Sequence, residues 1–210
     1  MFSNLKSYFM HKDKNIRDNR WIFTSMLVGA TISLIAAFIL SVDAFELAKN
    51  PNVALSCSIN AIVNCATVAK TSYSSIFGFP NSFLGLISES VVITVAIAGL
   101  AGVKFPRKFM FVAQVFYTLG FLFAYYLFFI GLFIIQAVCP WCLLVTLSTT
   151  GVFFSMTRYN IREDNLFLPK KLSKKLKGFI EKDYDKLTLA LIVFAVLATL
   201  VIKYGHGLFA

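Results

Sequence analysis

The run Phe109–Ile135, FMFVAQVFYTLGFLFAYYLFFIGLFII, contains no charged side chain over 27 residues. A helix rises about 1.5 Å per residue, so about 20 apolar residues cross a hydrocarbon core roughly 30 Å thick. This run exceeds that length, and similar runs flank it. Trp21–Val42, Phe83–Val103 and Val138–Thr157 are long enough to span, and Leu187–Lys203 gives a shorter fifth. A buried core helix can also be apolar all round, but five of them leave too little polar sequence in 210 residues to cover them. Composition agrees: 58% of residues are hydrophobic and 23 are Phe, against roughly 45–50% apolar in soluble domains. The expected fold is all-α and multi-pass, with five transmembrane helices.

A net charge of +10 invites a nucleic-acid partner, but its distribution argues against one. Residues 1–20 hold five Lys and Arg, Lys104–Lys108 three, and Arg158–Lys186 nine, leaving Lys49, Lys70 and Lys203 elsewhere. If the spans alternate direction, those clusters fall on one side, as the positive-inside rule requires for a cytoplasmic N-terminus. The Lys170–Lys177 run also suits anionic headgroups, a secondary reading. The N-terminal apolar stretch is longer than the 7–15 residues of a signal peptide's apolar region. Ser41-Val42-Asp43 offers no convincing cleavage site, so an uncleaved anchor is expected.

On this topology residues 43–82, 136–137 and 204–210 lie outside, and 104–108 and 158–186 inside. The chain divides into a membrane domain (1–157), a basic cytoplasmic loop (158–186), and a fifth helix with a short outer tail (187–210). The outer loop 43–82 mixes Ile59, Ile62, Val63, Ile76 and Phe77 with Ser, Asn and Thr. That composition predicts a half-buried helix and turn folded onto the bundle mouth, with Pro80 and Gly85 marking the return into the second span.

The four cysteines, Cys57, Cys65, Cys139 and Cys142, all fall at the outer face. Packing as small hydrophobes would not favour two pairs at one surface, and an oxidising compartment permits disulfides. Cys139-Pro140-Trp141-Cys142 opens the fourth span. Residues i and i+3 share a helix face, and a helix N-terminus favours a thiolate. Pro140 fits the first turn, where its missing N–H costs nothing. A C-x-x-C ring opens and closes readily in thiol–disulfide exchange. Cys57 and Cys65 are either a structural staple or the second pair of a two-step relay, one pair meeting a protein in water and the other an oxidant in the membrane. A Cys₄ zinc site is the competing reading, although C-x₇-C is not a usual ligand spacing and His11 and His206 lie on opposite sides.

No G-x-G-x-x-G after a strand and no C-x-x-C-H occurs, so nicotinamide, flavin and haem acceptors lack support. A lipid-soluble quinone needs only an apolar cavity with a few hydrogen-bonding groups, and Phe116, Tyr117, Phe121, Tyr125 and their neighbours are available to line one. Glu89 sits about six residues, roughly 9 Å, below the outer end of the second span. It is either a proton carrier or a carboxyl hydrogen-bonded inside the bundle; the sequence leaves both open. A transporter and an assembly factor are the rivals from other classes.

Taken together, Ser56-Cys57-Ser58-Ile59-Asn60, Val63-Asn64-Cys65, Phe79-Pro80-Asn81-Ser82-Phe83-Leu84-Gly85 and Cys139-Pro140-Trp141-Cys142 resemble the bacterial branch of the vitamin K epoxide reductase family, over roughly residues 21–157. The resemblance implies a four-helix bundle around a quinone (ubiquinone or menaquinone), capped by the cysteine loop, with the fifth helix added. It implies a quinone-dependent thiol oxidoreductase of the bacterial inner membrane that makes disulfides outside the cytoplasm. Cys142 would act nearest the quinone, Cys139 would exchange with Cys65, and Cys57 would meet a thioredoxin-fold protein. Asn81 matches the family asparagine that bonds a quinone carbonyl, and Thr146 a variable pocket position. Ala61 stands where related loops often have Pro. Many bacterial members carry a fused thioredoxin-like domain after the fifth span. Here Tyr204–Ala210 follows, which implies a separate partner protein.

Overall fold

The computed structural model describes residues 13–60 and 62–208, with side chains as far as Gly205. Expectations resting on Lys6, His11, Lys12, Ala61 and the His206 side chain lie outside that range. Helix α1 spans Lys14–Lys49, and Asp13 caps it by accepting the Asn15 N–H at 2.8 Å. A short helix α2 covers Cys65–Ala69, and a 3₁₀ turn covers Ser72–Ser75. Then come α3 (Ser82–Leu100), α4 (Arg107–Ile130), α5 (Pro140–Arg162), α6 (Lys170–Glu181) and α7 (Tyr184–Leu208). Among the described residues five helices are long and apolar enough to cross a membrane: α1, α3, α4 with its extension, α5 and α7.

Three boundaries differ from the sequence expectation. Helix α1 runs on to Lys49, so the outer loop begins at Asn50, and Asp43 belongs to a helix. A helix ends where a breaker stops it, here Asn50 followed by Pro51, and not where hydropathy falls. Helix α4 widens into a π-helical turn, Gly131–Ile135, before Gln136 reverses the chain at φ 58°. The basic segment 158–186 is largely helical: α5 continues to Arg162, and α6 follows Pro169.

Helix α1 lies between α3 and α5, α4 packs on α5, and α7 lies against α5 outside this set of four. The core gathers Phe23 and Met26 of α1, Val92 of α3, Met110 of α4, and Val152 and Met156 of α5. Without a hydrophobic force between helices in lipid, close approach depends on small residues. A Cβ on Gly99 would stand 2.4 Å from the Phe23 ring, and one on Gly29 2.8 Å from Val152 Cγ2. The outward surface is apolar: Ile35, Phe38, Phe194 and Ile202 are exposed. In a bilayer such side chains meet lipid.

The basic clusters meet at one end of the bundle. Arg158 bonds Asp185 at 2.7 Å and Asp183 at 3.0 Å, with Asp18 at 4.0 Å. Arg162 bonds Asn19, and Arg107 bonds the Asp164 carbonyl. The cysteine loop caps the opposite end.

Candidate active site

The loop chain is turned back by Asn60, whose side-chain oxygen accepts the N–H groups of Ile62 (2.9 Å) and Val63 (2.7 Å). This brings Val63 alongside Val138 in a parallel bridge. Val138 N–H donates to Ile62 O at 2.7 Å, and Asn64 N–H donates to Val138 O at 3.1 Å. Asn64 then caps α2 by accepting the Thr67 N–H at 3.0 Å. Those bonds set the first residue of α2, Cys65, beside the residue that caps α5, Cys139.

Cys57 and Cys65 are joined in a disulfide, and Cys139 and Cys142 are free thiols. Cys139 Sγ lies 3.5 Å from Cys65 Sγ. Because Cys65 is bonded to sulfur, any proton between them belongs to Cys139. Cys139 Sγ also accepts the Cys142 N–H at 3.3 Å, as a helix cap does. Its thiol is held below the ordinary range, first by the hydrogen bond from the Cys142 thiol and then by backbone N–H groups, against the opposing effect of burial. Asp43 Oδ2 stands 3.7 Å from Cys57 Sγ. With no proton on that sulfur, this is a contact and not a hydrogen bond. Cys57 is buried with Leu47 and Leu55.

Below the cysteines lies a cavity of about 860 Å³. Helices α3 and α4 stand apart, and the cavity fills the gap. Its rim residues Ile87, Val91, Phe116 and Leu119 are exposed on the outer surface, so it opens sideways, where lipid would be. Cys65, Cys139, Cys142, Asn81 and Thr146 all border it. The structure thus brings five of the six expected site residues to one space and leaves Cys57 bonded just above it.

Asn81 and Thr146 are both engaged by their own backbone surroundings. Asn81 Nδ2 donates to Tyr73 O at 2.7 Å, and Asn81 Oδ1 accepts the Ile76 N–H at 3.2 Å, holding the 3₁₀ turn to the start of α3. Among the described residues the second Nδ2 proton of Asn81 donates to no other group. Thr146 Oγ donates to Cys142 O at 2.9 Å. Glu89 is 3% exposed and accepts from Tyr117 Oη at 3.1 Å. Of the aromatic residues expected to line the cavity, Phe116 and Tyr117 border it and Phe121 and Tyr125 do not; the bond from Tyr117 to Glu89 has no mark in the sequence. Asp43, expected in the outer loop, lies in α1.

The model of the vitamin K epoxide reductase family matches residues 24–157, from the first turns of α1 to near the end of α5, including all four cysteines. No curated protein matches the chain.

Proposed function

From the finding that this chain belongs to the vitamin K epoxide reductase family, and is therefore a membrane oxidoreductase acting on disulfides with quinone, we propose that it draws electrons from a separate thioredoxin-fold protein outside the cytoplasm of a bacterium. The N-terminus is cytoplasmic in this reading, and the membrane is the inner one. The basic end, with Arg158 and Arg162, then faces the cytoplasm, and the cysteine cap faces the oxidising side.

The observation that carries the reading is the 3.5 Å separation of Cys65 Sγ and Cys139 Sγ. The loop opens, and a partner thiolate attacks Cys57. Cys65 leaves as a thiolate, and the partner's second thiol resolves the mixed disulfide, leaving Cys57 and Cys65 reduced. Cys65 then attacks an oxidised Cys139–Cys142 bond at Cys139, releasing Cys142. Cys57 displaces Cys139 from the Cys65–Cys139 bond, so the outer disulfide re-forms and the inner pair is left as a dithiol. The described arrangement, outer pair bonded and inner pair free, is the state at the end of that sequence. Each exchange conserves one disulfide and moves two electrons inward.

The cavity fits a quinone: its volume lies within the roughly 300–1,000 Å³ of small-molecule sites, it opens toward lipid, and Cys142 forms part of its wall. Bound there, ubiquinone or menaquinone supplies an acceptor for two electrons and two protons. Cys142 is the sulfur placed to react, Asn81 would hold the quinone through its remaining amide proton, and Thr146 would shape the wall one turn below Cys142.

Purified protein in nanodiscs, given a reduced thioredoxin-fold protein and a short-chain quinone, should oxidise the one and reduce the other. Replacing any single cysteine by Ala should abolish turnover. Wild-type turnover in Cys142→Ala or Cys65→Ala overturns the scheme.

A further inference from the structure

Glu89 starts with a problem of placement. It lies seven residues into α3, about 10 Å along the helix from its outer end. It borders the cavity and is 3% exposed. A carboxylate at that depth without a cation is costly. Its bonded neighbour is neutral: Tyr117 of α4, itself 6% exposed and bordering the same cavity, donates to Glu89 Oε1 at 3.1 Å and reaches Oε2 at 3.4 Å. From α1 comes the buried hydroxyl of Ser33, which stands beside the Glu89 carboxyl. From α5 comes Thr149, beside the Tyr117 hydroxyl. Tyr117 is the titratable group facing Glu89; Ser33 and Thr149 do not titrate. Cys142, Thr146 and Thr149 all border the cavity at i, i+4 and i+7 of α5, one helix face. A polar file therefore runs down an apolar wall from the reacting sulfur to the carboxyl–phenol pair.

We propose that Glu89 and Tyr117 are a proton-supplying pair for the cavity, with Glu89 holding the proton and Tyr117 delivering it to the acceptor's oxygen. The proposal rests on the quinone-linked reading above and adds a source for its protons. As a carboxylate, Glu89 would keep the phenol proton turned toward itself, as the 3.1 Å bond shows it. As an acid, it donates to Tyr117 Oη instead, and the phenol proton turns to the cavity. The reaction balances. Two S–H bonds break at Cys139 and Cys142, one S–S bond forms, and two electrons and two protons pass to the quinone. Tyr117 gives one of those protons and takes Glu89's in its place. Of the two protons released by the thiols, one becomes the quinone's second proton and the other returns to Glu89.

A merely structural pair, tying α3 to α4 across a gap, would affect stability and nothing else. The test therefore uses full-length protein in nanodiscs, with two readouts besides melting temperature. Without quinone, the infrared spectrum should carry a carboxylic-acid C=O band that vanishes in Glu89→Gln and shifts in Tyr117→Phe. With pre-reduced protein and excess reductant removed, single-turnover reduction of a short-chain benzoquinone should fall about 100-fold at saturating quinone in both variants, the size of a general-acid contribution. The half-saturating concentration should stay within about twofold, and reduction of the Cys57–Cys65 disulfide by dithiothreitol should be unchanged. Absence of an acid band assignable to Glu89, or wild-type single-turnover rates in both variants, overturns the proposal alone. Wild-type protein that reduces no quinone overturns the functional reading and the proposal together. If Glu89→Gln does not fold, the wild-type band and Tyr117→Phe still decide.

Discussion

At one end of the bundle a half-buried arginine is gripped by carboxylates from two other helices; at the other, the connections run through sulfur. Arg158 of α5 reaches Asp185 on α7, Asp183 just before α7, and Asp18 of α1. Next to it Asn160 Nδ2 donates to Gln114 Oε1 at 2.8 Å, and Asn165 Nδ2 donates to Asn160 Oδ1 at 3.0 Å. Satisfied buried networks of this kind fix one arrangement, because breaking any member leaves a polar group unpaired. The cysteine end has the opposite character. It is closed by one disulfide, two backbone hydrogen bonds at the Val63–Val138 bridge, and the Cys65–Cys139 sulfur contact. A disulfide can be exchanged for another at little cost, so that cap can open and reclose while the far end holds the helices in place. Fixed geometry and exchangeable chemistry are kept about a bilayer apart.

The sharpest way to break the exchangeable end is Cys142→Ala. Steady-state turnover should fall to background; with no Cys139–Cys142 bond available, the Cys139 thiolate attacks the Cys57–Cys65 bond at Cys65 and releases Cys57, so a Cys65–Cys139 mixed disulfide accumulates on non-reducing gels. The same variant removes the thiol hydrogen bond that contributes most to holding Cys139 below the ordinary thiol range. Thiolate reactivity at Cys139 should then set in at higher pH than in wild type, read from the pH dependence of mixed-disulfide formation. An onset at lower pH would contradict the hydrogen-bond assignment.

At the fixed end, Arg158→Ala should cost about 3 kcal/mol, because it strands Asp185 in a buried site. Thermal melting in detergent measures it, with quinone reduction at permissive temperature little changed. At the same end, Gly99→Val drives a side chain into the Phe23 ring, and overpacking of that kind costs about 1–3 kcal/mol. The same melting assay reports it. The smallest effect belongs to Tyr204→Phe. Tyr204 Oη of α7 donates to Leu132 O in the π-helical turn at 2.6 Å, bracing the segment that leads to Cys139. Losing that bond should cost about 1 kcal/mol, and the activity of the variant should become more heat-sensitive without a change in quinone affinity.

Much of this was readable in advance, for identifiable reasons. The five spans were legible because apolar runs and charge clusters are properties of neighbouring residues. Their ends were not. Helix α1 overran the expected Val42 boundary to Lys49 because its stop signal, Asn50-Pro51, lies beyond the apolar run. Glu89 was visible as a charge inside an apolar span, whereas Tyr117, its partner 28 residues away, was one aromatic residue among many. The nearness of Asp43 to Cys57 has no mark in the sequence, because it follows from α1 running past the apolar stretch.

The amino-acid sequence alone determined that the chain is a helical membrane protein, which of its ends is basic, and that four sulfurs share the other end. Hydropathy, charge and a C-x-x-C at a helix start act over one or two turns and need no knowledge of the fold. Only the tertiary structure decided that Cys65 meets Cys139 across 74 residues, that α3 and α4 part to leave a cavity, and that Glu89 faces a phenol. Those outcomes depend on which helix faces pack together, and that is settled by shape complementarity between residues far apart in the chain.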